Sequence, residues 1–316
     1  MDVAIKAEKL TKRYSSRKST AAIQDLDLEI PPGILFGLVG PDGAGKTTTL
    51  RILSSVMEPS SGRAWIAGFD AHSQVEKIRR CIGYMPQNFS LYPDLSVREN
   101  LNFFADIQHV PAVHKQSRIA EMLSFTHLED FVDRRAGKLS GGMKKKLALA
   151  CAMVHDPQVL ILDEPSTGVD PVSRRELWVL LARVVQEGVT VLVSTPYMDE
   201  AERCHRVGVL YQGRLLRTGS PEEIIDSLPF KIIEIKARPR KLMREIVAAS
   251  KEILDWNPVG DRLRAVVAGE GATEKAIHSL ERQFKANEME VLILKPARRT
   301  MEDAFIHLVK TQRGQA

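Results

Sequence analysis

A glycine-rich stretch, GPDGAGKT at residues 40–47, constrains the fold more than any other part of the chain. It matches the pattern G-x-x-x-x-G-K-[ST] and follows the apolar run ILFGLVG, as that pattern requires. Gly40, Gly43 and Gly45 allow the backbone to turn its N–H groups inward at the positive end of a following helix, where they surround an anion. A glycine turn without a ligand is the alternative, which the strand-loop-helix context disfavours. The sequence therefore predicts a phosphate-binding loop in an α/β fold.

The side chains at the end of this loop suit a nucleoside triphosphate with its metal ion. We expect Lys46 to reach the β- and γ-phosphates of ATP and the Thr47 hydroxyl to ligate Mg²⁺. The residues predicted to surround the nucleotide are Gly40, Pro41, Asp42, Gly43, Ala44, Gly45, Lys46, Thr47 and Thr48.

Two carboxylates follow a second apolar run, VLILDEP. Its four apolar residues predict a buried strand that carries Asp163 to the carboxyl edge of the sheet, where α/β proteins bind ligands. There Asp163 would hold the metal ion through water, and Glu164 would act as general base on a water in line with the γ-phosphate. An Asp-Glu pair at a strand end is by itself an ordinary turn, but a preceding phosphate loop favours the catalytic interpretation.

Strand-like and helix-like segments alternate over residues 1–228, which predicts an α/β domain with a mostly parallel sheet and an antiparallel part at its N-terminus. Residues 93–157 have helical spacing of apolar residues, which predicts an inserted helical subdomain. The predicted strands are AIKAEKL, DLDLEI, ILFGLVG, VLILDEP, VTVLVST and RVGVLYQGRLL. The predicted helices of the insertion are SVRENLNFFADI, KQSRIAEMLSFTHL and GGMKKKLALACAMV.

A second domain is predicted over residues 229–316, after the boundary at SLPF. Its segments read as strand, helix, strand, strand, helix, strand, which is the order of small α+β domains of the ferredoxin-like type. A last helix, TMEDAFIHLVK, follows. This domain would regulate, dimerise or support the first, and the sequence does not choose among these roles.

The net charge of +5 resides in the C-terminal part, because residues 230–316 hold 17 Lys and Arg against 12 Asp and Glu. This surplus is typical of a solvated surface, although an anionic membrane or nucleic acid is an alternative partner.

The apolar runs are shorter than the roughly 20 residues of a membrane-spanning helix. The N-terminus lacks the apolar core of a signal peptide, so we expect a cytoplasmic protein. Cys81, Cys151 and Cys204 lack paired metal-ligand spacing and are predicted to be buried.

One further motif identifies a family. LSGGM at residues 139–143 lies between the phosphate loop and LILDEP, and it resembles the signature motif of ATP-binding cassette (ABC) ATPases. Residues 3 to about 225 carry the other marks of that family in the same order. Tyr14 resembles the aromatic residue that stacks on adenine, Gln87 in GYMPQ resembles the Q-loop glutamine that contacts the metal and the reacting groups, and Asp170 in STGVDP resembles the D-loop aspartate.

The resemblance implies a partner for the chain. In this family two cassettes close head to tail, so Ser140, Gly141 and Gly142 would bind the nucleotide of a second cassette, in a homodimer or a heterodimer. Met143 stands where glutamine is usual, and we expect it to change packing rather than phosphate contacts. The segment NFSLYPDLSVRENL, after Gln87, resembles the part of the cassette that contacts an integral membrane permease. The chain would then lie on the inner face of the cell membrane through that permease.

The same segment has a local interpretation that is compatible with the first. Ser96, followed by Glu99 three residues on, predicts a capping box at a helix start. The run of lysines at residues 144–146 spreads around a helix and is predicted to be solvated.

The end of the chain narrows the branch of the family. RRTMEDAFIHLVK is similar to the ending of cassettes that serve exporters of drugs, sodium, lipids or polysaccharides. GPDGAGKTT and STPYMDEAE are similar to the N-terminal cassette of a tandem-cassette multidrug exporter ATPase. The function implied is ATP hydrolysis coupled to export by a separate permease. The alternatives are a soluble cassette ATPase acting on ribosomes or DNA, for which the expected linker or coiled coil is missing, and a regulator that binds ATP but barely hydrolyses it. We expect no nucleic-acid partner.

Pro196 departs from the family, which has at this place a histidine that contacts the γ-phosphate. Proline donates no hydrogen bond from side chain or backbone. It suits a helix start, with Thr195 as the predicted N-cap and Pro196 as the first helical residue. The chain is therefore predicted to keep the fold and to lose one catalytic contact, unless Ser194, Thr195 or Tyr197 replaces it.

Overall fold

The computed structural model describes residues 3–14, 21–88 and 91–314. The chain forms two compact units, with the division after Pro221. The predicted boundary lies a few residues further on, at residue 228. Phe89 and Ser90, in the segment expected to contact a permease, lie outside the described residues.

The first unit contains strands and helices in alternation. Its strands are β1 (Ile5–Lys12), β2 (Ile23–Ile30), β3 (Leu35–Val39), β4 (Ser61–Ile66), β5 (Phe69–Asp70), β6 (Ile82–Met85), β7 (Val159–Asp163), β8 (Thr190–Thr195), β9 (Arg206–Tyr211) and β10 (Arg214–Gly219). Its helices are α1 (Lys46–Leu53), α2 (Val75–Cys81), α3 (Val97–Ile107), α4 (Ala112–Thr126), α5 (Gly141–Met153), α6 (Pro171–Gln186) and α7 (Met198–Ala201). Helix α8 (Pro221–Asp226) spans the division between the units.

The main sheet has the strand order β10-β9-β3-β8-β7-β6. All neighbours are parallel except β10 and β9, which confirms the predicted mostly parallel sheet. Every residue of β3, β7 and β8 is buried, as expected for strands covered on both faces. The carboxyl ends of these three strands meet at one edge of the sheet, which is where such sheets bind ligands.

A second sheet, of order β2-β1-β4-β5, is antiparallel and confirms the predicted N-terminal part. Its apolar face shares one core with the main sheet and α1, through side chains such as Leu10, Phe36 and Leu50.

The insertion is helical, as predicted, and consists of α3, α4 and α5 with two short turns of 3₁₀ helix, Glu129–Phe131 and Ala136–Lys138. The capping box at the start of α3 is confirmed: the Ser96 hydroxyl accepts from the Glu99 N–H, and the Glu99 carboxylate accepts from the Ser96 N–H.

One strand prediction was wrong. RVGVLYQGRLL is a hairpin of β9 and β10, in which Arg214 pairs with Tyr211. The turn is made by Gln212 and Gly213, with φ of 47° and 76°, and two left-handed residues in succession are what a tight hairpin requires.

The second unit contains β11 (Lys231–Arg238), α9 (Arg240–Ala249), β12 (Ile253–Val259), β13 (Arg262–Val267), α10 (Glu270–Ala286), β14 (Glu290–Ala297) and α11 (Met301–Gly314). Its sheet has the order β12-β13-β11-β14, and all its pairs are antiparallel. Side chains of α9 and α10, such as Val247 and Phe284, pack with Ile233 and Leu263 in a core of its own. The predicted order of elements is observed, while the assignment to ferredoxin-like domains stays a prediction.

The three cysteines, Cys81, Cys151 and Cys204, are buried free thiols, as predicted. Within the part of the chain that the structure describes, no helix combines the length and the apolarity that a bilayer span requires.

Candidate functional site

The loop at residues 40–47 joins β3 to α1, and two of its three glycines lie where a side chain would collide with neighbouring backbone. Gly45 has a φ of 108°, and a Cβ added there would lie 2.5 Å from the carbonyl oxygen of Ala22. A Cβ at Gly40 would lie 2.1 Å from the carbonyl oxygen of Leu210. α1 begins without a side-chain cap, so the first N–H groups of the helix are available to an anion.

Lys46, the first residue of α1, is buried with its ammonium group among acceptors. Nζ donates to the carbonyl oxygens of Gly40 at 2.9 Å and Pro41 at 3.2 Å. It also forms an ion pair with Glu164 Oε1 at 3.2 Å. The exposed carboxylate of Asp42 is 4.0 Å away. Because a buried ammonium is stable only with such partners, the loop and Glu164 together hold this charge in place.

Asp163, at the end of β7, is held by two hydroxyl groups that both donate to Oδ1. Ser194 Oγ lies 2.6 Å away and Thr47 Oγ1 lies 3.2 Å away. The other oxygen, Oδ2, is buried and has no hydrogen-bond partner among the described residues. Buried oxygens without a partner are rare in folded proteins, so this atom indicates a place for a ligand.

Glu164 lies next to Asp163 and is held by three side chains. In addition to the ion pair with Lys46, Oε2 accepts from Gln87 Nε2 at 2.9 Å and from Thr167 Oγ1 at 3.3 Å. The residue has a φ of 47°, in the left-handed region that is uncommon for a side chain larger than glycine. The structure thus brings together the loop lysine, the Q-loop glutamine and the predicted general base.

A cleft of about 380 Å³ opens over these groups. It is lined by Ala22, Asp42, Gly43, Gly45, Lys46, Thr47, Thr48, Gln87 and Glu164. Tyr14 stands beside it, with its hydroxyl 3.2 Å from Thr48 Oγ1 and about half of the residue exposed. Stacking of adenine on this ring stays a prediction.

The predicted signature residues lie at the start of α5, away from this cleft. Ser140 is the N-cap, and its hydroxyl accepts from the Met143 N–H at 3.2 Å. A Cβ at Gly142 would lie 2.2 Å from Ser173 Oγ, so glycine is required for α5 to approach α6. A separate cavity of about 440 Å³ lies between Gly141 and Gln87. None of the described residues that line the loop cleft belongs to α5.

Asp170, the predicted D-loop aspartate, is the N-cap of α6. Its Oδ1 accepts from the N–H groups of Val172 and Ser173, each at 3.0 Å. Hydrogen bonds from Ser173 lower the pKa of the Asp170 carboxyl. This contact fixes the start of α6, and a role for Asp170 at the nucleotide stays a prediction.

The lysine run was predicted to be solvated, and this is wrong for two of its three residues. Lys144 is exposed, but Lys146 forms an ion pair with Glu176 at 2.7 Å. Lys145 is partly buried, and its Nζ donates to the Gln87 carbonyl oxygen at 3.3 Å. Burial lowers the pKa of Lys145, while the nearby Glu164 and Asp163 carboxylates act in the opposite direction.

The spacing on α5 does not distinguish the three lysines. The residues three and four positions after each of them, Leu147 to Ala150, are all buried, yet Lys144 is exposed. The position of Lys145 is therefore a feature of the folded chain, in which it links the helix of the signature motif to the backbone of the Q-loop.

The junction after β8 also differs from the prediction. Thr195 is the last residue of β8 rather than a helix N-cap, and α7 begins at Met198 with Tyr197 as its N-cap. The reason is that the buried Thr195 hydroxyl donates to the Glu200 carboxylate and accepts from the Tyr197 N–H at 3.1 Å. Pro196 therefore lies in the bend between strand and helix.

Of the three residues considered as replacements for a histidine, each has another partner. The Ser194 hydroxyl bonds Asp163 and the Glu164 N–H, and the Thr195 hydroxyl bonds Glu200. The ring of Tyr197 stacks on the guanidinium group of Arg174, 4.8 Å from the ring centroid. None of the three lines the loop cleft in the described part of the chain.

Comparisons with known proteins agree with this geometry. A family model described as ABC transporter matches residues 23–167. The Nod factor export ATP-binding protein I of Burkholderia thailandensis is 39% identical over 255 residues, which cover 80% of this chain and 83% of that protein. The chain belongs to the family of ABC transporter ATP-binding proteins. It is thus a cassette of the type that its signature motif predicted.

A further curated relative and a solved structure are also similar to this chain. The probable multidrug ABC transporter ATP-binding protein YbhF of Escherichia coli is 39% identical over 311 residues, which cover 98% of this chain and 52% of that protein. The chain thus spans about half the length of this relative. The cassette MJ0796, solved as a dimer in a post-hydrolysis state with ADP and Pi, aligns with a TM-score of 0.63 at 27% identity, over 68% of this chain and 98% of that chain.

A second solved structure gives the same result. The cassette cbiO1 from Clostridium perfringens, part of the ABC transporter complex cbiONQ, aligns with a TM-score of 0.65 at 28% identity, over 79% of this chain and 96% of that chain. These structures confirm the predicted cassette fold.

The residues of this cassette fit a divalent cation that arrives with nucleotide. Within the described residues no group of three or more His, Cys, Asp or Glu side chains is arranged to hold a metal ion on its own. Mg²⁺ is commonly bound through one or two carboxylates, waters and substrate phosphates, so such a group is not needed. The Thr47 hydroxyl bonds Asp163 Oδ1, and Asp163 Oδ2 has no partner among the described residues. These are oxygen ligands of the kind that Mg²⁺ prefers.

Proposed function

We propose that this cassette binds and hydrolyses ATP as the energy-supplying subunit of an exporter. The observation that carries the proposal is the contact chain from Lys46 through Glu164 to Gln87, with distances of 3.2 Å and 2.9 Å, at the mouth of the phosphate loop. It joins a phosphate-binding cation, a general base and a glutamine that lines the cleft in one hydrogen-bonded group.

In the proposed reaction, the N–H groups at the start of α1 and the Lys46 ammonium bind the β- and γ-phosphates. Lys46 is paired with Glu164, and a phosphate would compete for the same ammonium. Binding of ATP would thereby free the Glu164 carboxylate, which accepts the proton of a water positioned by Gln87. The two events are coupled because both use the same cation.

Mg²⁺ would be held by Thr47, by Gln87 and, through water, by Asp163, and it would neutralise charge that develops on the phosphates. Tyr14 would stack on adenine at the edge of the cleft.

A second cassette is proposed as the first partner. The start of α5, with Ser140, Gly141 and Gly142, offers N–H groups at a helix end but lies outside this chain's own loop cleft. The motif therefore suits the nucleotide of another cassette, a second copy or a separate polypeptide. The cassette MJ0796, which is dimeric with ADP and Pi bound, supports this proposal.

An integral membrane permease is proposed as the second partner. The names of the relatives, a probable multidrug ABC transporter ATP-binding protein and a Nod factor export ATP-binding protein, support an exporter. The cassette would then act on the inner face of the cell membrane, and the permease would select the cargo.

Pro196 is proposed to weaken this cassette's own site. Its place between β8 and α7 brings no hydrogen-bond donor to the γ-phosphate, whereas a histidine there would bring one. One lost bond to a charged phosphate amounts to about 1.5–3 kcal/mol, or about 10- to 150-fold in rate if it affects only the transition state. This feature also favours a second candidate function, a regulator that binds ATP and hydrolyses it very slowly.

The test of hydrolysis compares the purified chain with its Glu164→Gln variant in the presence of ATP and Mg²⁺. We expect the variant to bind ATP at least as tightly as the parent, because no carboxylate competes with the phosphate for Lys46. It should hydrolyse ATP roughly 100-fold more slowly or worse, since general-base catalysis contributes about that much. Equal rates would refute the catalytic role of Glu164. ATP binding without turnover in the parent would favour the regulator.

The exporter part has its own test. The tagged chain is purified from detergent-solubilised membranes of its native cell, and a multi-span membrane protein is expected to co-purify. Recovery with ribosomes or DNA instead would refute the exporter proposal and leave the hydrolysis result intact.

A further inference from the structure

Ser194 has two buried hydrogen bonds to the pair of catalytic residues. It lies on β8 directly beside Asp163 of β7 in the parallel register, and it is fully buried. Its hydroxyl donates to Asp163 Oδ1 at 2.6 Å and accepts from the Glu164 N–H at 3.0 Å. One side chain thus contacts both carboxylate residues, from a strand that follows them in the chain.

The first bond determines which oxygen of Asp163 is free. Because Ser194 and Thr47 both donate to Oδ1, Oδ2 is left as the buried oxygen with no partner among the described residues. Short bonds from hydroxyl groups to a carboxylate are strong and directional. Without the Ser194 bond, only the longer bond from Thr47 would restrain rotation of the carboxylate about its χ2 angle, a torsion with a broad profile.

The second bond acts on the backbone of Glu164. The left-handed φ of 47° persists only where surrounding contacts hold it. Lys46, Gln87 and Thr167 hold the carboxylate of this residue, whereas Ser194 holds its N–H through its hydroxyl at 3.0 Å and its carbonyl oxygen at 3.2 Å. Replacement of the Ser194 side chain removes only the hydroxyl bond. The side-chain contacts therefore depend on a backbone conformation that Ser194 helps to fix.

We propose that Ser194 is a positioning residue for the hydrolytic centre, which fixes the Asp163 carboxylate and the backbone of Glu164. The proposal rests on the proposed function only where it concerns hydrolysis. Ser194 does not replace the histidine, since its hydroxyl is buried and turned toward β7 rather than into the cleft. Ser194 instead holds the backbone of Glu164, which receives no hydrogen bond from Pro196 because proline has no donor.

The experiment uses the full chain with Ser194→Ala, Ser194→Thr and, as the matched control, Ser166→Ala. Ser166 is also a buried serine close to Glu164 in the chain, but its hydroxyl has no hydrogen-bond partner among the described residues. Threonine keeps the hydroxyl and is favoured on a strand. Both alanine variants lose the same atom, and only one of them loses hydrogen bonds.

The first measurement is hydrogen exchange of the peptide that contains Glu164, without nucleotide or metal. We expect faster exchange of this peptide in Ser194→Ala and near-parent exchange in Ser194→Thr and Ser166→Ala. If Ser194→Ala does not fold, Ser194→Cys, with a weak donor of similar size, is used and should fall between alanine and serine. Exchange in the Ser194 variant equal to that in Ser166→Ala would overturn the proposal.

The second measurement is steady-state hydrolysis of ATP. The kcat of Ser194→Ala should be about 10- to 100-fold lower, with a KM for ATP within about threefold of the parent, because the bonds orient catalytic groups and do not touch ATP. Ser194→Thr should recover most of the loss. A loss that appears in KM alone, or that threonine does not recover, would contradict the positioning role. If the parent itself shows no Glu164-dependent hydrolysis, the proposed function fails, and the exchange result alone decides on Ser194.

Discussion

The ends of β7 and β8 lie side by side in the main sheet, but their side chains serve different purposes. Beyond β7, Glu164 is bonded to Lys46 and Gln87, and Asp163 keeps one buried oxygen without a partner in the described residues. At the end of β8, the Thr195 hydroxyl donates to the Glu200 carboxylate inside the protein.

The polar groups at the end of β8 form a closed structural network. Glu200 is fully buried, and its Oε1 accepts from Arg174 Nε at 2.6 Å and from Trp178 Nε1 at 3.1 Å. These contacts tie α7 to α6, and none of the described residues that line the cleft belongs to β8 or α7. Buried contacts thus fix the shape of this strand end at the ligand edge of the sheet without a side chain in the cleft.

The largest expected effect is a loss of thermal stability when the buried network after β8 is broken. Glu200→Gln leaves the Arg174 charge without its buried partner, and such losses amount to about 3–5 kcal/mol for a fully buried pair. Since the Arg174 side chain is 27% exposed, we expect about 2–3 kcal/mol, or a melting temperature lowered by roughly 5–10 °C. Thermal unfolding followed by circular dichroism measures this.

Asp199→Asn provides the matched control for Glu200→Gln. The Asp199 carboxylate contacts the same Arg174 at 2.7 Å, but its side chain is 65% exposed, so the change should lower the melting temperature only slightly. A Glu200→Gln protein with the parent's melting temperature and a reduced kcat would contradict this assignment, because it would make the network of Thr195, Glu200 and Arg174 part of the chemistry.

A smaller expected effect concerns the site at the end of β7, where Lys145 bonds the backbone of Gln87. Lys145→Ala removes the bond to the Gln87 carbonyl oxygen, and a single hydrogen bond of about 0.5–1.5 kcal/mol predicts a kcat lowered about 2- to 10-fold with little change in melting temperature. Lys144→Ala, one residue earlier and exposed, should behave as the parent. Steady-state ATPase assays compare the two, and equal rates would show that Lys145 does not support the Q-loop.

The sequence was sufficient for the parts of the site that depend on local backbone chemistry. The loop glycines, the carboxylates after β7 and the capping box at Ser96 each require particular residues at fixed spacing, so each was predictable. The hairpin at Gln212 and Gly213 also has a local signal, because glycine is typical of turns.

The remaining features depend on contacts between distant parts of the chain. Gln87 meets Glu164 only because β6 and β7 are neighbours, and Thr195 turns inward because Glu200 is buried beneath it. No spacing rule encodes these pairs. The same holds for Ser194, whose partners lie on the adjacent strand, about thirty residues earlier in the chain.

The central claim is that Pro196 limits hydrolysis by this cassette, and its most direct test compares the kcat of Pro196→His with that of the parent. Glu164→Gln is added to each protein to measure the background rate without the general base. If the bend after β8 lacks only a donor to the γ-phosphate, the histidine raises kcat by about 10-fold or more, and the gain disappears when Glu164 is replaced. An unchanged kcat, in a variant that melts at the parent's temperature, would contradict the claim that Pro196 limits this cassette.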